Sequence, residues 1–213
     1  MKKFLFIPVL AALLSCSSED EHAVDLGLSV LWADCNVGAN HPEEFGDYYS
    51  WGDTMANRPY TNEDCSSYPH CKDLDGDGDI STGSEFTYIG DDISGKEQYD
   101  AATAKWGNGW KMPTKEQFEE LLTKCEWVPC EKNGVKGFQI TGPNSNSIFL
   151  PIAGYGPAEI RSEFKDELFY WTSTFQSNED AWALNSGHRE PLWDKDRPIP
   201  APIRPVKMRE YKE

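Results

Sequence analysis

The stretch CKDLDGDGDISTGSE, residues 71–85, sets four aspartates at alternate positions, Asp73, Asp75, Asp77 and Asp79, with glycines among them. Carboxylates at that spacing form the front half of a calcium-binding loop. Counted from Asp73, they supply positions 1, 3 and 5, Gly78 stands at position 6 where the chain must turn sharply, and Ile80 at position 8. Position 12 calls for a bidentate carboxylate, but it is Ser84, with Glu85 one residue late. Pro69 ahead of the loop and EFTYIG behind it argue against flanking helices, so this is not an EF-hand pair. Like charges packed this closely repel one another, and a hard cation relieves the repulsion. The donors are oxygens, with His70 the only imidazole nearby, which favours calcium over a transition metal. The expected site is therefore Asp73, Asp75, Asp77, Asp79 and Glu85 around a structural Ca2+, with the affinity of extracellular modules, about 10⁻⁴ to 10⁻³ M. The competing reading is a solvated acidic loop.

Other reactive side chains are dispersed. His22, His41, His70 and His188 are far apart along the chain, and no HExxH or Ser/His/Asp arrangement is visible. Cysteines stand at 16, 35, 65, 71, 125 and 130. Cys35 and Cys125 can be read as a thiol nucleophile or a copper-binding pair, although burial or disulfide bonding is the commoner fate of such residues. None has the spacing of a structural zinc site. Trp51, Trp106, Trp110 and Trp171 could stack sugars on an exposed platform, but their places beside strands and helix ends favour core packing.

The opening residues MKKFLFIPVLAALLSC say where these groups work. Lys2 and Lys3 precede an apolar run of eleven residues, half of what a bilayer span needs. The segment reads as an export signal over residues 1–15. Leu13-Leu14-Ser15-Cys16 resembles the bacterial lipoprotein box, which makes Cys16 the lipidated N-terminus of the mature chain. Residues 16–23 then form an acidic tether, and its SSEDE resembles the signal that sends Bacteroidetes lipoproteins to the outer face of the outer membrane. Export permits disulfides. The five remaining cysteines, Cys35, Cys65, Cys71, Cys125 and Cys130, are candidates; spacing leaves the connectivity open, although Cys65 and Cys71 could staple the chain just ahead of the aspartates.

Twenty basic residues face thirty-six acidic ones, a net charge of −16, and loss of Lys2 and Lys3 with the leader makes it −18. A chain this acidic lacks the basic footprint of a nucleic-acid binder and has no polybasic face for anionic lipid. A cation suits it better. About 190 residues rich in aromatics suffice for one well-buried domain, residues 24–213.

The elements that must position these groups are mixed. A strand is expected over 29–33, and β-prone aromatics over 47–54. Residues 55–98 lack any period and are too long for a plain connection, so they read as a functional or stapled insertion. Asp100 can cap a short helix AATAKW that stops at Gly107. Thr114 and Gln117 make a capping box for a second helix, with Phe118, Leu121, Leu122 and Cys125 on one face. Strands are expected at 137–141, 147–151, 169–174, 181–184 and 203–207, separated by turn signals. The class is α+β.

The segments VDLGLSVLWADCNVGA, DYYSWGDT, YDAATAKWGNGWKMPTKEQFEELL, NGVKGFQITGPNSNSIFLPIAGY, YWTSTF and IRPV, in that order, resemble the Fibrobacter succinogenes major paralogous domain. That resemblance implies a C-type-lectin-like fold, two helices on a small twisted antiparallel sheet with a long loop region, on exported and lipid-anchored proteins. It implies no reaction, since the family brings no catalytic residues. The sugar-ligating triplet of calcium-dependent lectins is also missing: Glu190-Pro191 is followed by Leu192, so EPLWD reads as a loop without that role. The expectation is a non-catalytic surface lipoprotein whose loop region binds a glycan or a protein. The alternatives are an enzyme of the formylglycine-generating fold class, or a structural subunit of a surface fibre or complex.

Overall fold

The computed structural model describes residues 21–58, 68–76, 84–158, 161, 164–186 and 191–209. Cys16, Cys65, Asp77 and Asp79 lie outside them. In chain order the elements are β1 (Ala23–Val24), β2 (Val30–Ala33), β3 (Cys71–Asp73), β4 (Ser84–Phe86), α1 (Ala101–Trp106), β5 (Trp110–Lys111), α2 (Lys115–Lys124), β6 (Glu126–Lys132), β7 (Val135–Thr141), β8 (Ser147–Pro151), β9 (Phe169–Phe175), β10 (Asp180–Asn185), β11 (Leu192–Asp196) and β12 (Val206–Met208). Among the described residues the architecture is α+β: small antiparallel sheets with two helices.

Both helices start where their side chains dictate. Asp100 caps α1 by accepting from Thr103 N, and Gly107 closes it with a backbone N–H to Thr103 O. Thr114 and Gln117 form the reciprocal capping box of α2, which buries Phe118 and Leu121. Phe118 packs against Trp32 with ring centroids 5.1 Å apart, so α2 closes over the strand that carries Trp32.

One sheet matters most for the site. Its order is β1-β2-β12-β5, all antiparallel, so the last described strand, β12, lies between β2 and β5. The meander β6-β7-β8 and the sheet β11-β10-β9 complete the body, and β3-β4 is a separate hairpin. Two apolar clusters fill the interior. One gathers around Trp51, Trp171 and Phe169, the other around Trp32, Phe118 and Tyr170.

Three expectations need correction. EPLWD is not a loop throughout, because Leu192 opens β11 and pairs with Leu184 of β10. Residues 126–132, where no strand is expected, form β6. Pro129 is accommodated because β6 pairs with β7 alone and is an edge strand, where a missing N–H is harmless. The aromatic run at 47–54 contributes only an isolated bridge, Tyr49 to Ala201.

Candidate functional site

The aspartate loop hangs from the β3-β4 hairpin, whose root is firmly held. Tyr68 donates its hydroxyl to Trp51 O at 2.5 Å, and His70 Nε2 is 2.7 Å from Gly52 O. The His70 ring sits edge-on to Tyr68 and Tyr99, and burial pushes its pKa below the ordinary imidazole range. Cys71 is disulfide-bonded, and its partner lies outside the described residues. At the loop's mouth Asp73 Oδ1 accepts the Gly76 N–H at 2.7 Å, a turn that Gly76 enters with φ +79°. The register sets Asp73 opposite Ser84 and Lys72 opposite Glu85. Side chains alternate along a strand, so Asp73 and Glu85 leave the hairpin on opposite faces. Glu85 therefore faces Lys72, and of the expected ligand set only Asp73 and Asp75 are described at the loop's mouth.

The remaining described cysteines correct the disulfide expectation: Cys35, Cys125 and Cys130 are free thiols. Cys130 faces Gly137 across the β6-β7 ladder, where no sulfur is available, and Cys125 ends α2 against the second apolar cluster. Cys35 is fully buried just after β2, with its thiol 3.4 Å from Ala39 O.

The β1-β2 register places His22 opposite Asp34, and Asp34 N donates to His22 O at 2.9 Å. His22 Nδ1 then lies 2.8 Å from Asp34 Oδ1 and 3.7 Å from Cys35 Sγ. Composition makes this look like a catalytic triad, but geometry argues otherwise. In a relay the nucleophile and the orienting carboxylate use different ring nitrogens. Here both approach the same one. Burial, reinforced by the Asp34 charge, pushes the Cys35 thiol up to about 12, so it holds its proton at neutral pH and is a poor nucleophile.

Beside this trio opens a cleft of about 450 Å³, lined by His22, Asn40, Trp106, Asn108 and Trp110 among others. The sequence WGNGW builds its ledge. Gly107, Asn108 and Gly109 have φ of +59°, +47° and +82°, three successive left-handed residues that only Gly and Asn adopt readily. This reversal, closed by Trp110 N to Gly107 O at 2.8 Å, sets Trp106 and Trp110 edge to face with centroids 5.2 Å apart. The Trp106 ring also meets the His22 ring, tilted by 33° with centroids 5.1 Å apart. Trp51 and Trp171 are wholly buried and Trp110 nearly so, as core packing requires, whereas Trp106 stays partly open on the cleft wall.

A second cleft, about 540 Å³, shares Asn108 and Trp110 with the first and is flanked by Lys111, Lys207 and Arg209. Arg209 pairs with Asp25, its NH1 3.0 Å from Asp25 Oδ2. In so acidic a chain, a cleft lined by basic side chains, one of them already paired with Asp25, is a local departure from the overall sign. Sequence spacing missed both the trio and the clefts, because β1, β2, β5 and β12 meet only in the folded sheet. The visible signal was WGNGW itself.

No family model, no curated protein and no solved structure matches this chain. Among the described residues no helix is long and apolar enough to cross a membrane.

Proposed function

We propose that this chain is a non-catalytic, cell-surface lipoprotein of the outer membrane whose C-type-lectin-like domain, of the Fibrobacter succinogenes major paralogous type, binds a glycan in the Trp106 cleft and the cleft that adjoins it. The observation that carries this reading is the partly exposed Trp106 ring on a cleft wall that also presents Asn40 and Asn108. An aromatic face receives the C–H face of a sugar ring, and side-chain amides both donate to and accept from its hydroxyls. Lys111, Lys207 and Arg209 around the adjoining cleft favour a glycan bearing carboxylate or sulfate. Against catalysis by the thiol stand the proton held on Cys35 and the single nitrogen shared by its neighbours.

The test is a glycan array probed with the full chain in detergent. Uronate-bearing or sulfated oligosaccharides are expected to bind, and neutral ones to bind more weakly. An array without hits, beside a protein ligand captured at a surface unaffected by Trp106→Ala, would overturn the reading.

The anchor is tested apart from the ligand. Cys16→Ala should move the protein from the membrane pellet to the soluble fraction, because acyl chains, each buried methylene worth about 0.8 kcal/mol, are the proposed attachment. Retention in the pellet would contradict it.

Calcium keeps a structural role in the proposal, at Asp73 and Asp75 with the loop residues Asp77 and Asp79. An ion that binds the folded loop alone stabilises by about 1.4 kcal/mol at ten times Kd. Low-millimolar calcium should raise the melting temperature by about 2–6 °C, and Asp75→Asn with Asp77→Asn should remove the rise. Glu85→Gln should leave it unchanged, given the register. Equal melting temperatures in calcium and chelator would reduce the aspartates to a solvated loop.

A further inference from the structure

We infer that His22, Asp34 and Cys35 form a binding site for a thiophilic divalent transition-metal ion of the zinc class, beside the Trp106 cleft and separate from the aspartate loop. Nδ1 of His22, a carboxylate oxygen of Asp34 and Sγ of Cys35 all lie within 4.8 Å of one another. The single-nitrogen convergence that disqualifies a relay is what a metal needs: three donors aimed at one point, each contributing one atom.

Dimensions support it. Tetrahedral zinc with bonds of about 2.0–2.3 Å separates its ligand atoms by about 3.3–3.6 Å. The Nδ1–Sγ distance of 3.7 Å already fits. The Nδ1–Oδ1 distance of 2.8 Å is a hydrogen bond and must open by about half an ångström. Side chains of His22 and Asp34 are 40% and 36% exposed, so both can rotate without disturbing the core. A mixed nitrogen, sulfur and oxygen set selects zinc-class ions and excludes calcium.

The supports are rigid. The β1-β2 hairpin fixes His22 against Asp34, and Cys35 is anchored by burial. Arg204 lies near enough for its charge to favour the thiolate, partly offsetting Asp34. On binding, the Cys35 thiol gives its proton to solvent, while His22 carries its ring proton on Nε2 and leaves Nδ1 to the metal. Three protein ligands leave a fourth position for water, and His22 lines the neighbouring cleft.

The experiment uses the full chain under non-reducing conditions, in a Cys125→Ser/Cys130→Ser background that removes the other described free thiols. Cobalt(II) is titrated and followed by absorbance. One equivalent should produce a thiolate-to-cobalt charge-transfer band with the visible bands of a tetrahedral ion, and zinc should bleach both stoichiometrically while calcium does not. Cys35→Ser should abolish the charge-transfer band. His22→Gln and Asp34→Asn, at partly exposed positions that leave the fold intact, should each weaken binding about tenfold or more. Those two variants decide the matter even if Cys35→Ser fails to fold. No charge-transfer band in the parent, or a band unchanged by His22→Gln, would overturn the assignment.

Discussion

Arg204→Met should lower the unfolding free energy by about 3–5 kcal/mol, the cost of breaking a buried, fully bonded charged group. Arg204 is wholly buried. Its Nε donates to Asn36 Oδ1 at 2.8 Å, one terminal nitrogen to Ala33 O at 3.0 Å, and the other to Phe149 O at 3.1 Å. These three acceptors belong to the end of β2, the turn after it, and β8, so one side chain ties the site's sheet to the neighbouring meander. Methionine matches the volume but leaves all three acceptors without a donor, each at about 1–3 kcal/mol. The loss propagates, because Asn36 also donates to Tyr170 Oη at 3.2 Å, which in turn donates to Pro151 O at 2.8 Å. Lysine keeps the charge but cannot reach three acceptors at once, so Arg204→Lys should fall between parent and methionine. Urea unfolding measures this directly, with a lower midpoint at unchanged slope. A change under 1 kcal/mol would mean the network reorganises.

Asp100→Ala should cost about 3 kcal/mol and disturb the Trp106 ledge. The Asp100 carboxylate is fully buried. Its Oδ1 accepts from Thr103 N at 3.0 Å, while Oδ2 accepts from Gly95 N at 2.7 Å, Met112 N at 3.0 Å and Thr103 Oγ1 at 2.8 Å. The cap alone is worth about 1–2 kcal/mol, and the further bonds to a charged acceptor add to it. Asparagine is the informative control. It preserves the capping oxygen but presents an amide donor where three donors already converge, so it should recover only the cap. Chemical unfolding of both variants, followed by tryptophan fluorescence, checks the order parent, Asn, Ala. Equal stability of Asn and parent would show that Oδ2 contributes little.

Local chemistry was legible in the sequence where a few neighbouring residues decide the outcome. The caps at Asp100, Gly107 and Thr114 set both helices, and the short apolar run at 147–151, bounded by turn residues, marked β8. Strands whose partners are distant were not legible. β6 carries Pro129 and three charged residues, and only its edge position explains its existence. β11 reads as a charged loop until β10 supplies its ladder. For the site, the aspartates announce themselves because their spacing is local, yet the register alone turns Glu85 away from Asp73. His22 looked isolated at twelve residues from Asp34, and the β1-β2 pairing brings them within hydrogen-bonding distance. Trp106 could not be told from the buried tryptophans by type. Its place at the end of α1, before three left-handed residues, leaves it on the cleft wall.

The central claim is that Trp106 lines the wall of a glycan site, and it is tested most directly by paired titrations. The parent and Trp106→Ala are each titrated by calorimetry with the uronate-bearing or sulfated oligosaccharide that the array selects, with Lys111→Ala alongside. An aromatic stacking partner contributes about 0.5–1.5 kcal/mol beyond the area it buries. Affinity should therefore drop about two- to tenfold for Trp106→Ala, and the melting temperature should fall as well, since the ring packs against the Trp51–Trp171 cluster and Trp110. Lys111→Ala should weaken the acidic oligosaccharide and flatten its salt dependence while sparing neutral analogues. Equal affinity of parent and Trp106→Ala for that oligosaccharide would contradict the account.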